Sequence, residues 1–268
     1  LLIVSDRSLT IDATTYRAGL PFNTEDWRGN ELILAGVARH AREPRILYET
    51  PSREQDEARI REQGVTCICI TRNRRDWLPK AIRCYQSQTH SPRELLIVSD
   101  GQDIKDLIPD DETIRHIEIE QGFTIGEKRN YAVQRAKGQN IAHWDDDDYS
   151  APARLALQSE SLRQSGKAFT GYSSMLFTDG ESWWKFDGGA GYAIGTSFFY
   201  RRQWAINHPF MSVQIGEDGE FLKVARDHRQ VATEDGGLLM YATIHKDNTS
   251  PRNLARHEWE ALPNQKPF

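Results

Sequence analysis

Asn140-Ile141-Ala142-His143-Trp144-Asp145-Asp146-Asp147-Asp148 is a short apolar run that ends abruptly in four consecutive aspartates. An apolar run of this length reads as a buried strand. Four like charges side by side at its end repel one another, so a fold that holds them there calls for a counter-charge. Hard divalent cations such as Mg²⁺, Mn²⁺ or Ca²⁺ prefer carboxylate oxygens. The alternative is a solvated acidic turn. An EF-hand loop counted from Asp145 fails, because Ser150 stands where Gly is needed and Ala156 where Glu is needed.

Upstream of the aspartates, apolar strands alternate with amphipathic helices. Residues 65–71 form a short apolar run. Leu78, Ile82 and Tyr85 then fall at helical spacing, with Asp76 as the expected N-cap and Pro79 in the first turn. Residues 94–99 give a second buried strand closed by Asp100-Gly101, and 113–119 a third that alternates. Residues 126–136 read as a helix ended near Gly138, and 140–144 as a fourth strand. Such alternation predicts a mainly parallel mixed sheet flanked by helices, an α/β fold that binds ligands beyond the carboxyl ends of its strands. Asp100 and the acidic quartet both fall at carboxyl ends and are expected in one crevice.

At 268 residues the chain can bury a full core. Its formal net charge of −5 argues against general polyanion binding, though a local basic groove stays open. No apolar stretch approaches the roughly 20 residues of a membrane span. Cys67, Cys69 and Cys84 lack zinc spacing and read as buried thiols of a reducing compartment, so a cytoplasmic location is expected. The chain opens on Leu1-Leu2 rather than Met, as a piece of a longer protein would. Residues 1–64 read as an N-terminal α/β appendage with a helix over 25–40 and a charged helix over 52–63. Residues 65–250 form the main domain, and 251–268 a tail.

Several ordered motifs resemble family-2 glycosyltransferases of the GT-A (Rossmann-like) fold. Cys69-Ile70-Thr71-Arg72-Asn73-Arg74 looks like their opening strand and loop, and Tyr85-Gln86-Ser87-Gln88-Thr89 like the end of their first helix. Leu96-Ile97-Val98-Ser99-Asp100-Gly101 resembles the second strand and its nucleotide-contacting acid. Gly126-Glu127-Lys128-Arg129-Asn130 is similar to the helix before the metal motif, Ile141 to Asp148 to the DXD strand, and Gly216-Glu217-Asp218 to the later ED motif. Arg72 departs from the pattern where relatives often carry an aromatic, and Ser99 where many carry a second Asp.

The resemblance implies a metal-dependent, inverting transfer of a sugar from a nucleoside-diphosphate donor, UDP first among them, with Mn²⁺ or Mg²⁺ as cofactor. Asp145 and Asp147 would be the DXD pair, with Asp147 on the metal and Asp145 towards the ribose. Asp146 and Asp148 remain candidates within that register. Thr71, Arg72, Asp100 and Arg129 would contact the nucleotide, and a late histidine, His245, would complete the metal shell. Asp218 would be the general base. Each residue has a structural alternative: Asp100 as a turn residue before Gly101, Arg129 as a surface partner of an acid, Asp218 as a helix-dipole acid. The acceptor class stays open among glycan, lipid carrier, protein and modified nucleic acid. A non-catalytic nucleotide- or glycan-binding module of the same fold is the alternative function. A nucleotidyltransferase is disfavoured, because residues 71–76 hold no glycine for a phosphate loop.

Overall fold

The apolar run before Thr71 becomes a central strand, β1 (Val65–Thr71), with β2 (Arg93–Ser99), β3 (Ile114–Ile119) and β4 (Asn140–His143). All adjacent pairs in the order β4-β1-β2-β3 are parallel. This computed structural model describes residues 64–249 and 254–262 and, before them, the backbone of six short strands. The side-chain period of two sorts the core into layers on either face of the sheet. Val65, Cys67, Cys69, Leu95 and Ile97 pack on one face against α1 (Leu78–Gln86). Ile68, Leu96 and Val98 pack on the other against α2 (Ile125–Arg135). The expected third strand does not alternate in burial, because both its faces are covered, as parallel strands require. All three cysteines are free, buried and in one cluster.

Beyond the quartet lie β5 (Tyr149–Ser150), α3 (Arg154–Ser165), β6 (Phe169–Thr178), β7 (Trp183–Asp187) and β8 (Phe199–Arg201). They are followed by α4 (Arg202–Asn207), α5 (Glu217–Asp227), β9 (Val231–Asp235), β10 (Met240–Thr243) and β11 (Trp259–Leu262). The twelve-stranded sheet runs β5-β10-β6-β8-β4-β1-β2-β3, with Ile46–Glu49 antiparallel on β3 and with β7, β9 and β11 attached through β6. Since β8 is antiparallel to β4, the strand direction changes right beside the aspartates.

Further local expectations are corrected. The N-cap of α1 is Trp77, with no side-chain hydrogen bond, rather than Asp76. Gly138 is not a left-handed helix cap, for α2 ends at Ala136 in an extended conformation. Gly138 instead permits close approach, since a Cβ there would meet Thr66 N at 2.6 Å and Gly64 O at 2.8 Å. The start of α2 is a capping box that the motif reading overlooked: Glu127 N donates to Thr124 Oγ1 and Thr124 N to Glu127 Oε2. Of the helix expected over 25–40, Ala38–His40 is a strand. The remainder of that helix, and the helix over 52–63, lie outside the described residues.

Candidate active site

A cavity of about 440 Å³ opens beyond the carboxyl ends of β1 and β4. Thr71, Arg72, Arg129, the four aspartates and Asp218 line it, so side chains up to 147 residues apart in sequence meet there. Asp100 and His245 are not among its lining residues.

The quartet does not act as four equivalent acids. One oxygen each of Asp145, Asp147 and Asp148 lie within 4.8 Å of one another. Asp146 turns aside, accepting from Thr71 Oγ1 at 2.6 Å and Arg74 Nη1 at 2.9 Å. Asp148 is fixed by Thr196 Oγ1 at 2.6 Å and the Thr243 amide at 3.0 Å. On Asp147, Oδ2 accepts from Arg74 Nη1 at 2.9 Å and lies 2.9 Å from His245 Nε2. His245 is itself stacked on Trp77, centroids 4.5 Å apart. It thus reaches the cluster through Asp147, from behind the cavity wall.

Burial and neighbouring charge shape the acidity here. Burial, reinforced by the charges of Asp147 and Asp145, lifts the Asp148 carboxyl well above the usual range. Asp145 is raised mainly by burial, against the pull of Arg129. Burial pushes Asp146 up to about 6 despite Arg74. Crowded oxygen donors that resist ionisation are short of positive charge, and three convergent carboxylates fit a hard divalent cation.

A buried scaffold holds the cluster. Arg154, 1% exposed, donates to the carbonyls of His143 at 2.9 Å and Thr196 at 3.1 Å. It also donates to Ser150 Oγ at 2.8 Å and Gln158 Oε1 at 3.0 Å. It therefore ties the end of β4 to the turn that presents Thr196. His143 adds a second tie, with Nδ1 2.8 Å from the Gly195 carbonyl, and burial holds its pKa well below the usual value.

The other expected residues are distributed unevenly. Asp100 is fully buried and engaged by Lys128 Nζ, with Arg72 Nη1 3.9 Å from its second oxygen. Lys128, rather than Asp100, reaches the cavity. Arg129 Nη1 lies 3.0 Å from Glu217 Oε1, and burial raises the Glu217 pKa. Asp218 sits in the first turn of α5 after Gly216, whose φ of 89° suits glycine. Its Oδ1 accepts from the Gly219 amide at 2.7 Å, and its carboxylate lies over Gly195.

Residues 66–215, more than half of the chain, match the sequence model of Glycosyl transferase family 2. The chain belongs to glycosyl transferase family 2. One curated relative, from Bacillus subtilis (strain 168), bears the name of a teichuronic acid biosynthesis glycosyltransferase, TuaG. It is 31% identical over 119 residues, 41% of this chain and 47% of its own length. An uncharacterized glycosyltransferase of Rickettsia bellii (strain RML369-C) is 27% identical over 115 residues, 41% of this chain and 17% of its own length. The chain thus spans about half the length or less of these curated relatives. Among solved structures, S. aureus TarS 1-349 in complex with UDP-GlcNAc superposes with TM-score 0.59 at 16% identity, over 70% of this chain and 60% of that one. Mannosyltransferase PcManGT from Pyrobaculum calidifontis, in complex with GDP-Man and Mn²⁺, gives 0.57 at 15% identity, over 83% and 64%. At these identities the likeness fixes the fold, which is GT-A.

Within this family-2 domain, motif reading overlooked Arg154, Thr196, Thr243 and Lys128. Arg154 looks like an ordinary polar residue at a helix start, and nothing local signals its burial. Thr196 and Thr243 follow the quartet by 48 and 95 positions from Asp148, so only the sheet brings them near. Lys128 did carry a signal, as a charge within the motif Gly126-Glu127-Lys128-Arg129-Asn130 one turn inside a helix that packs on the sheet.

Proposed function

We propose that this domain transfers a sugar from a nucleoside-diphosphate donor, UDP-linked in the first instance, to a hydroxyl acceptor with inversion at the anomeric carbon. The observation that supports it best is one cavity holding both a carboxylate cluster suited to a divalent cation and, apart from it, the half-exposed carboxylate of Asp218. Asp145, Asp147 and Asp148 would hold Mn²⁺ or Mg²⁺, with His245 orienting Asp147. When bound, the cation would stabilise negative charge on the departing diphosphate as a Lewis acid.

The chain's own residues do the remainder. Thr71 and Arg74 fix Asp146 at the cavity wall, while Arg129 and Lys128 offer donors to the nucleotide. Asp100 contributes by orienting Lys128. With Oδ1 of Asp218 held by the Gly219 amide, Oδ2 takes the proton from the attacking hydroxyl. One base and direct displacement invert the configuration. The UDP and GDP sugars of the two superposed enzymes support a nucleotide-sugar donor. Three free buried thiols support a cytoplasmic site of action.

A thermal-shift panel of UDP, GDP and their sugars, with and without Mn²⁺, tests the donor. Donor hydrolysis without acceptor tests turnover, and Asp218→Asn should keep nucleotide binding while losing it. Absence of any nucleotide-dependent shift would sink the proposal. Binding with no hydrolysis in either protein would favour the non-catalytic module.

A further inference from the structure

The basic run Arg72, Arg74 and Arg75 divides on folding. Arg75 turns outward to Asp106, 2.6 Å away at the surface. Arg74 turns inward. A single nitrogen, Nη1, lies 2.9 Å from both Asp146 Oδ1 and Asp147 Oδ2, while Nη2 donates to the Asp247 carbonyl. The two carboxylates are almost completely buried, whereas the Arg74 side chain is 20% exposed and lines the cavity. This guanidinium is therefore a counter-charge of the acid cluster, and it occupies one oxygen of Asp147, a carboxylate of the convergent set that would hold a divalent cation. Two positive charges cannot share that carboxylate cheaply at low dielectric. A guanidinium also pairs with phosphate oxygens as readily as with carboxylate.

We propose that Arg74 is an exchangeable counter-cation. It neutralises Asp147 until a divalent cation displaces it, and the displaced guanidinium then binds the diphosphate of the nucleotide. Cation and nucleoside diphosphate consequently tighten each other's binding by more than their direct contact supplies. The inference rests on the cation and nucleotide reading of the same cavity, and it concerns binding rather than turnover.

Titration calorimetry of Mn²⁺ and UDP, each alone and in the presence of the other, tests it at about pH 8, where protons compete little for carboxylates. Arg74→Gln should bind Mn²⁺ alone several-fold more tightly than the wild type, since its competitor is gone. In Mn²⁺ it should bind UDP on the order of tenfold more weakly, and the mutual enhancement should shrink, within the usual range of such couplings. Arg74→Lys keeps the charge without the fork, so it should fall between the two and serves if the glutamine variant does not fold. A purely structural arginine predicts the opposite sign: a loosened cluster and weaker Mn²⁺ binding. Unchanged or weaker Mn²⁺ binding by Arg74→Gln, with the wild type binding both ligands, overturns the exchange alone. A wild type that binds neither ligand overturns the functional reading and this inference together.

Discussion

Gly195→Ala isolates the proposed base from everything around it. A Cβ on Gly195 would stand 2.2 Å from Asp218 Oδ2, 3.1 Å from its Cγ and 3.3 Å from its Cβ. Ordinary contact begins near 3.4 Å, so the carboxylate must retreat by about 1.2 Å. The atoms struck belong to the end of a half-exposed side chain, and Gly195 is not at positive φ, so the fold should barely notice. A misplacement of about 1 Å costs a positioned catalytic group on the order of 100-fold, or about 2.7 kcal/mol of barrier. Steady-state transfer or donor hydrolysis should show that loss in kcat, with the Mn²⁺-dependent nucleotide Kd unchanged, since Thr196 and Thr243 hold the cluster. The decisive arm is the double mutant: in an Asp218→Ala background the same glycine change should cost almost nothing more. Equal losses in both backgrounds would mean that the methyl acts on something other than Asp218, and undiminished kcat in the single variant would remove Asp218 as base.

Three further outcomes follow from the same geometry. Asp147→Ala should abolish the Mn²⁺-dependent part of nucleotide stabilisation in a thermal-shift assay, and a retained Mn²⁺ effect would take Asp147 out of the cation site. The raised carboxyls of Asp145, Asp146 and Asp148 bind protons in the folded chain that the unfolded chain has already released, so their stabilisation is lost as pH rises through about 6 for Asp146. A cation recovers what the protons gave up, so the Mn²⁺-induced rise in Tm should be larger at about pH 7.5 than at about pH 5.5, and a pH-independent rise would contradict the burial of the cluster. Gly138→Ala should destabilise the domain by about 1–3 kcal/mol in urea unfolding, because its methyl meets backbone atoms of residues 64–66 that cannot yield like a side chain; a loss below about 0.5 kcal/mol would refute that close approach.

The strand–helix order was readable because both periods are written locally: β1, β2 and β4 as apolar runs, α1 as Leu78, Ile82 and Tyr85. Their parallel pairing follows from alternation alone. The site was legible only as a list of residues. Which aspartates converge depends on the turn after β4 and on Thr196 and Thr243, contributed by the turn before β8 and the end of β10. The pairing of Asp145 with Asp147 captures two members of the cluster, whereas Asp146 faces Thr71 and Arg74 and Asp148 joins the convergence. Asp100 is expected at the nucleotide by family resemblance, with a turn residue before Gly101 as the alternative. Its burial beneath Lys128 depends on how α2 crosses the sheet, which no local pattern encodes.

The charges around the cavity bear on the proposed pairing of cation and diphosphate. Asp145 to Asp148 bring four negative charges. Arg129 is paired with Glu217 and Lys128 with Asp100, so neither adds to the formal count, although Arg129 pulls on Asp145. Arg154 from beneath, Arg74 from the rim and Lys80, near the Asp147 carbonyl at 3.4 Å, supply three positive charges. Over the quartet and these groups beside it the formal sum is one negative charge in a poorly solvated place, where burial above all raises the carboxyl pKa values. A divalent cation would reverse the sign of that local sum; Arg72, Asp218 and Asp247, which also line the cavity, lie outside it. An anion with several oxygens then becomes the natural occupant, and a diphosphate meets the need while a neutral sugar alone does not. In the proposed exchange the arginine that moves is Arg74, with its end in the cavity, while Arg154 is buried and locked by four acceptors. On the proposed reading, the quartet repels anions until a cation offsets it, and the local charge count then favours cation before nucleotide.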